Sequence, residues 1–208
     1  ATEPATILEA IRSLGARMAP ASRKLAFASA TGVLGAGRHA GAPAAVVIGQ
    51  EPALRAVSDA VRGRMIVIAT EDGGAHWNDV SAGLPPALEG EGAFAASGTC
   101  LVTRGRSHAW IGTGAVSGAR VYHTTDRGRS WSVVATPVVS GQAAGIQSLA
   151  FRDARHGLAL GGSLADPNDR GDNVARSSDG GATWTLAQRT AFSGAAYGSA
   201  VVPGLPGT

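Results

Sequence analysis

Short apolar runs alternate with turn-forming residues over most of the chain, which predicts a succession of short β-strands. The first clear strand is 65–69, which is rich in Met, Ile and Val. Two later stretches each hold four such runs: 95–103, 108–112, 120–124 and 130–136, then 146–151, 157–161, 173–177 and 183–188. Residues 197–202 predict one more strand. The pattern therefore predicts an all-β protein built from repeated four-stranded units.

The beginning of the chain has a different pattern. Between residues 4 and 18, apolar side chains recur at helical spacing on one face, which predicts a short N-terminal helix. Residues 19–56 are rich in Ala, Gly and Arg and contain a single strand-like run, 45–48, so no complete four-stranded unit is expected there. The sequence thus predicts an N-terminal region, 1–56, followed by the repeated strands of 57–208.

Three segments share the pattern hydroxyl-x-Asp-x-Gly-x-x-Trp, and we call them motif 1 (70–77), motif 2 (124–131) and motif 3 (177–184). Asp126 follows Asp72 by 54 positions, and Asp179 follows Asp126 by 53. A period of this order is typical of propeller blades and related arrays. The residues that define the motifs are Thr70, Asp72, Gly74, Trp77, Thr124, Asp126, Gly128, Trp131, Ser177, Asp179, Gly181 and Trp184.

Each motif has the chemistry of a self-contained hairpin turn. An Asp or Ser side chain can accept hydrogen bonds from backbone N–H groups two residues further along. The Gly two places after the Asp can adopt the positive φ that hairpin turns need. The Trp then places a large apolar ring over the turn, where its burial stabilises by about 2–3 kcal/mol. The motifs are therefore interpreted as structural rather than catalytic.

These motifs are similar to the Asp-box, or BNR repeat, of sialidase-superfamily β-propellers. The sequence from about 57 to about 204 resembles bacterial propellers grouped with photosystem II assembly factors and WD40/YVTN/BNR-like repeats, on residues 92–100, 108–112, 151–157 and 173–176. The resemblance implies a partial β-propeller with about three to four blades of four antiparallel strands. Because such propellers usually close with six or seven blades, we expect a piece of a longer protein. The chain shows no signal peptide, and the resemblance implies an extracytoplasmic, periplasmic or secreted location.

Composition narrows the range of partners. The net charge is +3, but the 18 basic residues include a single lysine, Lys24, and are scattered among 15 acids. Without a basic stripe or a known nucleic-acid motif, no nucleic-acid binding is predicted. No apolar run of about 18 residues is present, so no membrane span is predicted. The single cysteine, Cys100, is expected to be a small buried hydrophobe.

The resemblance also raises enzymatic alternatives. Sialidases need an arginine triad and a Tyr–Glu pair, and the Arg-Ile-Pro segment before the first repeat is missing here. Other glycoside hydrolases use two carboxylates, for which Glu89 and Glu91 are the candidates outside the motifs. A glycoside hydrolase with catalytic residues partly outside this chain is therefore the alternative function. The loop 166–173 is rich in oxygen ligands but fails the EF-hand pattern, and no metal or cofactor is predicted.

Binding is the function that the sequence favours. Loops at one end of a propeller present side chains on a rigid scaffold, and in the assembly-factor relatives a basic patch is implicated in holding a partner protein. Arginine suits such a patch because it makes bidentate contacts with carboxylates. We therefore predict a non-catalytic scaffold that binds a protein or peptide. The candidate arginines near strand ends or turns are Arg104, Arg106, Arg120, Arg152, Arg155 and Arg176.

Overall fold

The computed structural model describes residues 26–29, 44–50, 53–72, 75–188 and 190–202. The predicted helix at 4–18 lies outside the described residues. Within this part of the chain, the regular elements are β-strands and two 3₁₀ helices, Ser81–Gly83 and Ala95–Ser97. The strands form three antiparallel sheets that follow one another along the sequence. The predicted all-β, partial β-propeller is confirmed, with each sheet as one blade.

Neighbouring strands in each blade are consecutive in sequence. The first blade holds β1 (Ala26–Ser29), β2 (Ala44–Gln50), β3 (Ala53–Val61), β4 (Arg64–Thr70) and β5 (Asn78–Asp79). The second blade holds β6 (Leu101–Arg104), β7 (His108–Gly112), β8 (Ala119–Thr124) and β9 (Ser132–Thr136). The third blade holds β10 (Ala144–Phe151), β11 (Gly157–Ser163), β12 (Val174–Ser177) and β13 (Thr185–Leu186). Motifs 1, 2 and 3 join the last two strands of their blades.

Successive blades pack face to face, and two apolar cores lie between them. The first core joins Val57 of the first blade to Leu101 and other apolar residues of the second. The second core joins Trp110 of the second blade to Phe151 and its neighbours in the third. Each fully buried Val, Leu or Phe stabilises this packing by about 1.5–3 kcal/mol. The blades are therefore held together by side chains that alternate along each strand, as the period of two in a strand requires.

A row of hydroxyl groups links the inner strands of the blades. Thr99 precedes β6 and forms a parallel bridge with Ser148 of β10. Thr99 Oγ1 donates to Ser148 Oγ at 2.8 Å, and Ser148 Oγ is 2.6 Å from Ser199 Oγ. These residues recur at nearly the blade period. Ser199 therefore contacts the third blade in the way that Ser148 contacts the second blade.

The first blade corrects one expectation from the sequence. The strand-like run 45–48 lies within β2, but no further strand was expected before residue 57. The structure has β1 (Ala26–Ser29) in this region as well, and β3 begins at Ala53. β3 was not predicted because the polar residues Arg55 and Ser58 interrupt its apolar pattern, although both are buried. The division into 1–56 and 57–208 stays a prediction, and β3 lies across it.

Two predicted strands differ from the structure. Residues 95–97 were predicted to begin a strand but form a 3₁₀ helix, which ends at Gly98 with φ of 74°. Residues 197–202 were predicted to be a strand and form none. Their backbone lacks the ladder partner that a strand needs among the described residues, although the preceding Ala196 donates its N–H to Gly161 O at 2.9 Å. The described part of the chain contains no helix long and apolar enough to span a membrane.

Candidate functional site

Motif 2 closes the loop between β8 and β9 with its own side chains. Thr124 Oγ1 accepts the N–H of Gly128 at 2.9 Å and donates to Asp126 Oδ1, also at 2.9 Å. Asp126 in turn accepts the N–H of Ser130 at 2.9 Å and its hydroxyl at 2.6 Å. Trp131 Nε1 donates to Gly128 O at 3.1 Å. Gly128 has φ of 87°, a conformation that a side chain would strain.

Motif 3 repeats these contacts in the loop between β12 and β13. Ser177 Oγ accepts the N–H of Gly181 at 2.8 Å and donates to Asp179 Oδ1, again at 2.8 Å. Asp179 accepts the N–H of Thr183 at 2.9 Å and its hydroxyl at 2.6 Å. Trp184 Nε1 donates to Gly181 O at 3.1 Å. The two loops thus share the same five contacts.

Motif 1 uses a histidine where the other motifs use a hydroxyl. Thr70 Oγ1 donates to Asp72 Oδ1 at 2.7 Å, and Asp72 Oδ1 accepts the N–H of His76 at 2.9 Å. The ring atom His76 Nδ1 lies 2.6 Å from Asp72 Oδ2, in the place of the Ser130 or Thr183 hydroxyl. Gly74 lies outside the described residues. Trp77 is buried like its counterparts.

The motif carboxylates are held in the ionised form. Hydrogen bonds from the hydroxyl and the N–H of Ser130 lower the pKa of Asp126 to about 2. Thr183 does the same for Asp179, whose pKa is also about 2. Hydrogen bonds from Thr70 and His76 hold the pKa of Asp72 well below its ordinary value. A general acid needs the opposite shift, so these groups are unsuited to protonate a leaving group near neutral pH.

Glu91, a candidate hydrolase carboxylate, is buried in the connection between the first and second blades. Its Oε1 accepts Thr113 Oγ1 at 2.6 Å and Arg120 Nε at 3.0 Å. Its Oε2 accepts Leu88 N at 2.8 Å, Tyr122 OH at 2.9 Å and Arg120 Nη2. Burial alone would raise the pKa of Glu91, but these hydrogen bonds outweigh it and the pKa lies below its ordinary value. Both carboxylate oxygens are therefore fully used in holding structure.

Four of the six candidate arginines lie at the end of the propeller that carries motifs 2 and 3. Arg104 is the last residue of β6 and Arg106 lies in the β6–β7 turn, while Arg152 and Arg155 lie in the β10–β11 turn. Contacts join these turns to the motif loops, because Ser107 O accepts the N–H of Arg127, and Arg155 O accepts the N–H of Gly180. We call the set Arg104, Arg106, Arg152 and Arg155 the turn-end surface, and all four side chains are exposed.

The turn-end surface also makes contacts within the chain. Arg104 Nε donates to Phe151 O at 3.1 Å, and its Nη2 donates to Arg152 O. Arg106 Nη2 lies 3.7 Å from Glu71 Oε2, with 62% of the Arg106 side chain exposed. Arg155 Nε donates to Ser178 O at 3.4 Å. Arg152 Nε lies 3.4 Å from Asp153 Oδ2. Exposed contacts of this kind are weak.

The other two candidate arginines lie apart from this surface. Arg120 is near the start of β8, at the opposite end of the blade from motif 2, and Glu91 and Tyr122 hold it in place. Arg176 lies on β12, paired with Leu158 and Thr185, all three exposed on the third blade. The sequence did not indicate Glu91 as the partner of Arg120, because no local spacing connects positions so far apart.

Aromatic and histidine side chains fill the space between the second and third blades. Trp110 stacks between His123, with ring centroids 4.6 Å apart, and Phe151, at 3.9 Å. His108 Nδ1 lies 3.2 Å from His123 Nε2. Burial, with a smaller contribution from His108, lowers the pKa of His123 to about 4. These rings pack the interface, and His123 stays neutral near pH 7.

Possible metal ligands and the single cysteine also lie in the described part of the chain. No group of three or more His, Cys, Asp or Glu side chains is arranged there to hold a metal ion. In the loop 166–173, Asp166 Oδ1 accepts Asn168 N and Asp169 Oδ1 accepts Gly171 N, both at 2.9 Å. Cys100 is buried, as predicted, and burial raises the pKa of its thiol to about 12.

No family model and no curated protein matches the sequence. Among solved structures, the chain is similar to YCF48 bound to D1 peptide, with 18% identity, TM-score 0.41, and coverage of 64% of this chain and 35% of that one. It is also similar to the GH74 enzyme of Niastella koreensis, with 20% identity, TM-score 0.47, and coverage of 65% and 21%. YCF48 from Cyanidioschyzon merolae has 15% identity, TM-score 0.27, and coverage of 74% and 68%.

The chain thus spans about a third of the peptide-bound YCF48 chain and about a fifth of the GH74 enzyme. All three TM-scores are below 0.5 and all three identities are 20% or less.

Proposed function

We propose that this chain is a non-catalytic β-propeller scaffold that binds a protein or peptide partner. The observation that carries the proposal is the use of its carboxylates. Asp126 and Asp179 accept backbone and hydroxyl groups of their own loops, and Glu91 accepts five hydrogen bonds in a buried cluster. Side chains bound in this way stabilise turns and connections, and they have little capacity left for proton transfer.

The turn-end surface is the proposed binding region. Its four arginines come from two successive blades, so the backbone of a rigid scaffold fixes their spacing. Guanidinium groups donate to carboxylates in a planar, bidentate manner. The partner that fits this surface is a peptide segment with exposed Asp or Glu side chains or a terminal carboxylate. Arg120, which is committed to Glu91, is not part of it.

The finer assignments rest on the sequence resemblance. We propose that motifs 1 to 3 are Asp-boxes, that the protein is a bacterial assembly-factor-like propeller, and that it acts outside the cytoplasm. In this proposal the motif residues have a structural role only. A glycoside hydrolase would instead need two carboxylates free to act on either side of a sugar bond.

The proposal is tested by fluorescence anisotropy with a labelled peptide of alternating Asp and Gly, and with the same peptide carrying Asn for Asp. We expect the acidic peptide to bind and the neutral one not to bind. Replacing Arg106 and Arg155 by Glu should weaken binding by about tenfold or more, and added salt should weaken it further. The charge-matched control replaces Arg62 and Arg64 by Glu. Both are exposed, at the end of the first blade opposite to motif 1, and their replacement should leave binding unchanged.

Equal losses in the two double variants would refute the turn-end surface as the binding region. Glycosidase turnover that disappears when a carboxylate outside the motifs is replaced by its amide would refute the non-catalytic scaffold. The two outcomes are independent, since the first concerns arginines and the second concerns acids.

A further inference from the structure

One position in the strand ladder corresponds in all three blades. In each blade, the motif begins with a hydroxyl residue, Thr70, Thr124 or Ser177, at the end of a strand. The residue one position before this hydroxyl pairs with a residue of the preceding strand, and this pair has the same register in every blade. The three pairs are Arg55 with Ala69, Trp110 with His123, and Leu158 with Arg176.

At the interface of the second and third blades, this position is filled and fully bonded. The Trp110 ring stacks on His123 and on Phe151. Its Nε1 donates to Gly180 O in motif 3 at 2.7 Å. One large neutral side chain therefore satisfies both the apolar packing and the hydrogen bonding of the interface.

At the interface of the first and second blades, the same position holds Arg55. Ala69 occupies the position that corresponds to His123. Thr103 corresponds to Phe151, because Thr103 pairs with Ala109 in the same register in which Phe151 pairs with Gly157. The three stacked rings are thus replaced by one guanidinium and two small side chains. This exchange places a charge at the position where the other interface has stacked rings.

The Arg55 side chain is buried without hydrogen-bond partners on one edge. The residue is 2% exposed, and neither Nε nor Nη2 has a partner among the described residues. Burial lowers the pKa of Arg55, Glu71 raises it and Arg127 lowers it, yet a guanidinium stays protonated in proteins. Glu71 forms its ion pair with Arg106. The buried positive charge is therefore left without a bonded counterion in the described part of the chain.

The unpartnered edge is the one that recognises oxyanions. Nε and Nη2 point the same way on a guanidinium and form the fork that binds two oxygens at once. The chain itself provides the comparison, because Arg120 uses Nε and Nη2 to hold the two oxygens of Glu91. Arg55 presents the same fork with no carboxylate on it.

We infer that Arg55 anchors a binding site for a small oxyanion of the phosphate or sulfate class between the first and second blades. An anion there would neutralise the buried charge and occupy the fork. The burial of Arg55 favours a small free ion over a side chain of a partner macromolecule. Arg55 is buried, whereas the arginines of the turn-end surface are exposed.

Thermal unfolding with inorganic phosphate as the probe tests the inference. Phosphate is compared with chloride at matched ionic strength. Above the dissociation constant, each tenfold rise in phosphate should raise Tm by about 3–6 °C, and chloride should not. Broadening of the phosphate ³¹P resonance by the protein should follow the same concentration dependence.

The variants separate Arg55 from general charge effects. Arg55→Met should fold, because an apolar side chain suits a buried position, and should lose the phosphate response. Arg64→Met, at an exposed position in the same blade, should keep it. An equal Tm in phosphate and chloride, or an unchanged response in Arg55→Met, would overturn the inference. The inference would also be overturned if Glu71→Gln lowered Tm while phosphate had no effect on the parent chain, because Glu71 would then be the counterion of Arg55.

Discussion

Replacement of Glu91 by Ala is the perturbation with the largest expected effect on stability. The Glu91 side chain has 0% exposure, and that of Arg120 has 14%. Removing one member of a buried ion pair costs about 3–5 kcal/mol, because the remaining charge is left uncompensated. In Glu91→Ala, Arg120, Thr113 and Tyr122 all lose an acceptor. Against a total stability of about 5–15 kcal/mol for a domain, this loss would leave the chain close to unfolding.

Urea denaturation followed by tryptophan fluorescence measures this loss. The matched control is Glu89→Ala, two positions away and exposed, which should change stability by less than about 0.5 kcal/mol. The double variant Glu91→Leu with Arg120→Met should recover much of the loss, because it removes both charges and keeps the volume. A Glu91→Ala loss below about 1 kcal/mol, within the range of exposed ion pairs, would refute the buried cluster.

The same cluster predicts a direction for the pH dependence. Burial would raise the pKa of Glu91, but hydrogen bonds from Arg120 and its neighbours hold the folded-state value below the ordinary one of about 4.3. The stabilisation is therefore complete above the unfolded-state pKa and is lost as the pH falls through the folded-state pKa. Glu91→Ala should reduce the acid sensitivity of the chain, which urea titrations at a series of pH values would measure. An equal acid sensitivity in parent and variant would contradict this assignment.

Two further predictions concern local packing, each with a matched control. Gly161→Ala should destabilise the fold by about 1–3 kcal/mol or more, because the added Cβ would lie 1.8 Å from Gly145 O. In the control Gly118→Ala, the added Cβ meets nothing within 4 Å, so the change should be tolerated. Thermal melts that rank the two variants equally would contradict this prediction. Ser177→Ala should cost about 1–2 kcal/mol because it removes a buried acceptor from Gly181 N. Ser178→Ala, at the exposed neighbouring position, should be neutral in the same assay.

The sequence predicted best those features whose causes are local. Motifs 2 and 3 are closed by contacts between residues at most four positions apart, such as Thr124 with Gly128, so their spacing carries the information needed. The strands on either side of motif 2 were also placed to within two residues, because apolar side chains point toward both neighbouring blades. Local chemistry and strand alternation thus account for most of the fold.

The sequence failed where contacts between distant segments decide the outcome. The pairing of Glu91 with Arg120 spans 29 positions, and the buried state of Arg55 depends on its ladder position opposite Ala69. Residues 197–202 have the composition of a strand, but a strand forms only beside a partner with free backbone groups. Among the candidate arginines, nothing local separates Arg120 from those of the turn-end surface.

We propose that the motif aspartates hold turns and carry out no proton transfer, and a pH titration of their carboxyl carbons by NMR tests this role. We expect pKa values of about 2 for Asp126 and Asp179, with the amide protons of Ser130 and Thr183 shifting in step as their acceptors become protonated. A pKa at or above the ordinary value of about 3.9, with those two amide protons unaffected, would contradict it.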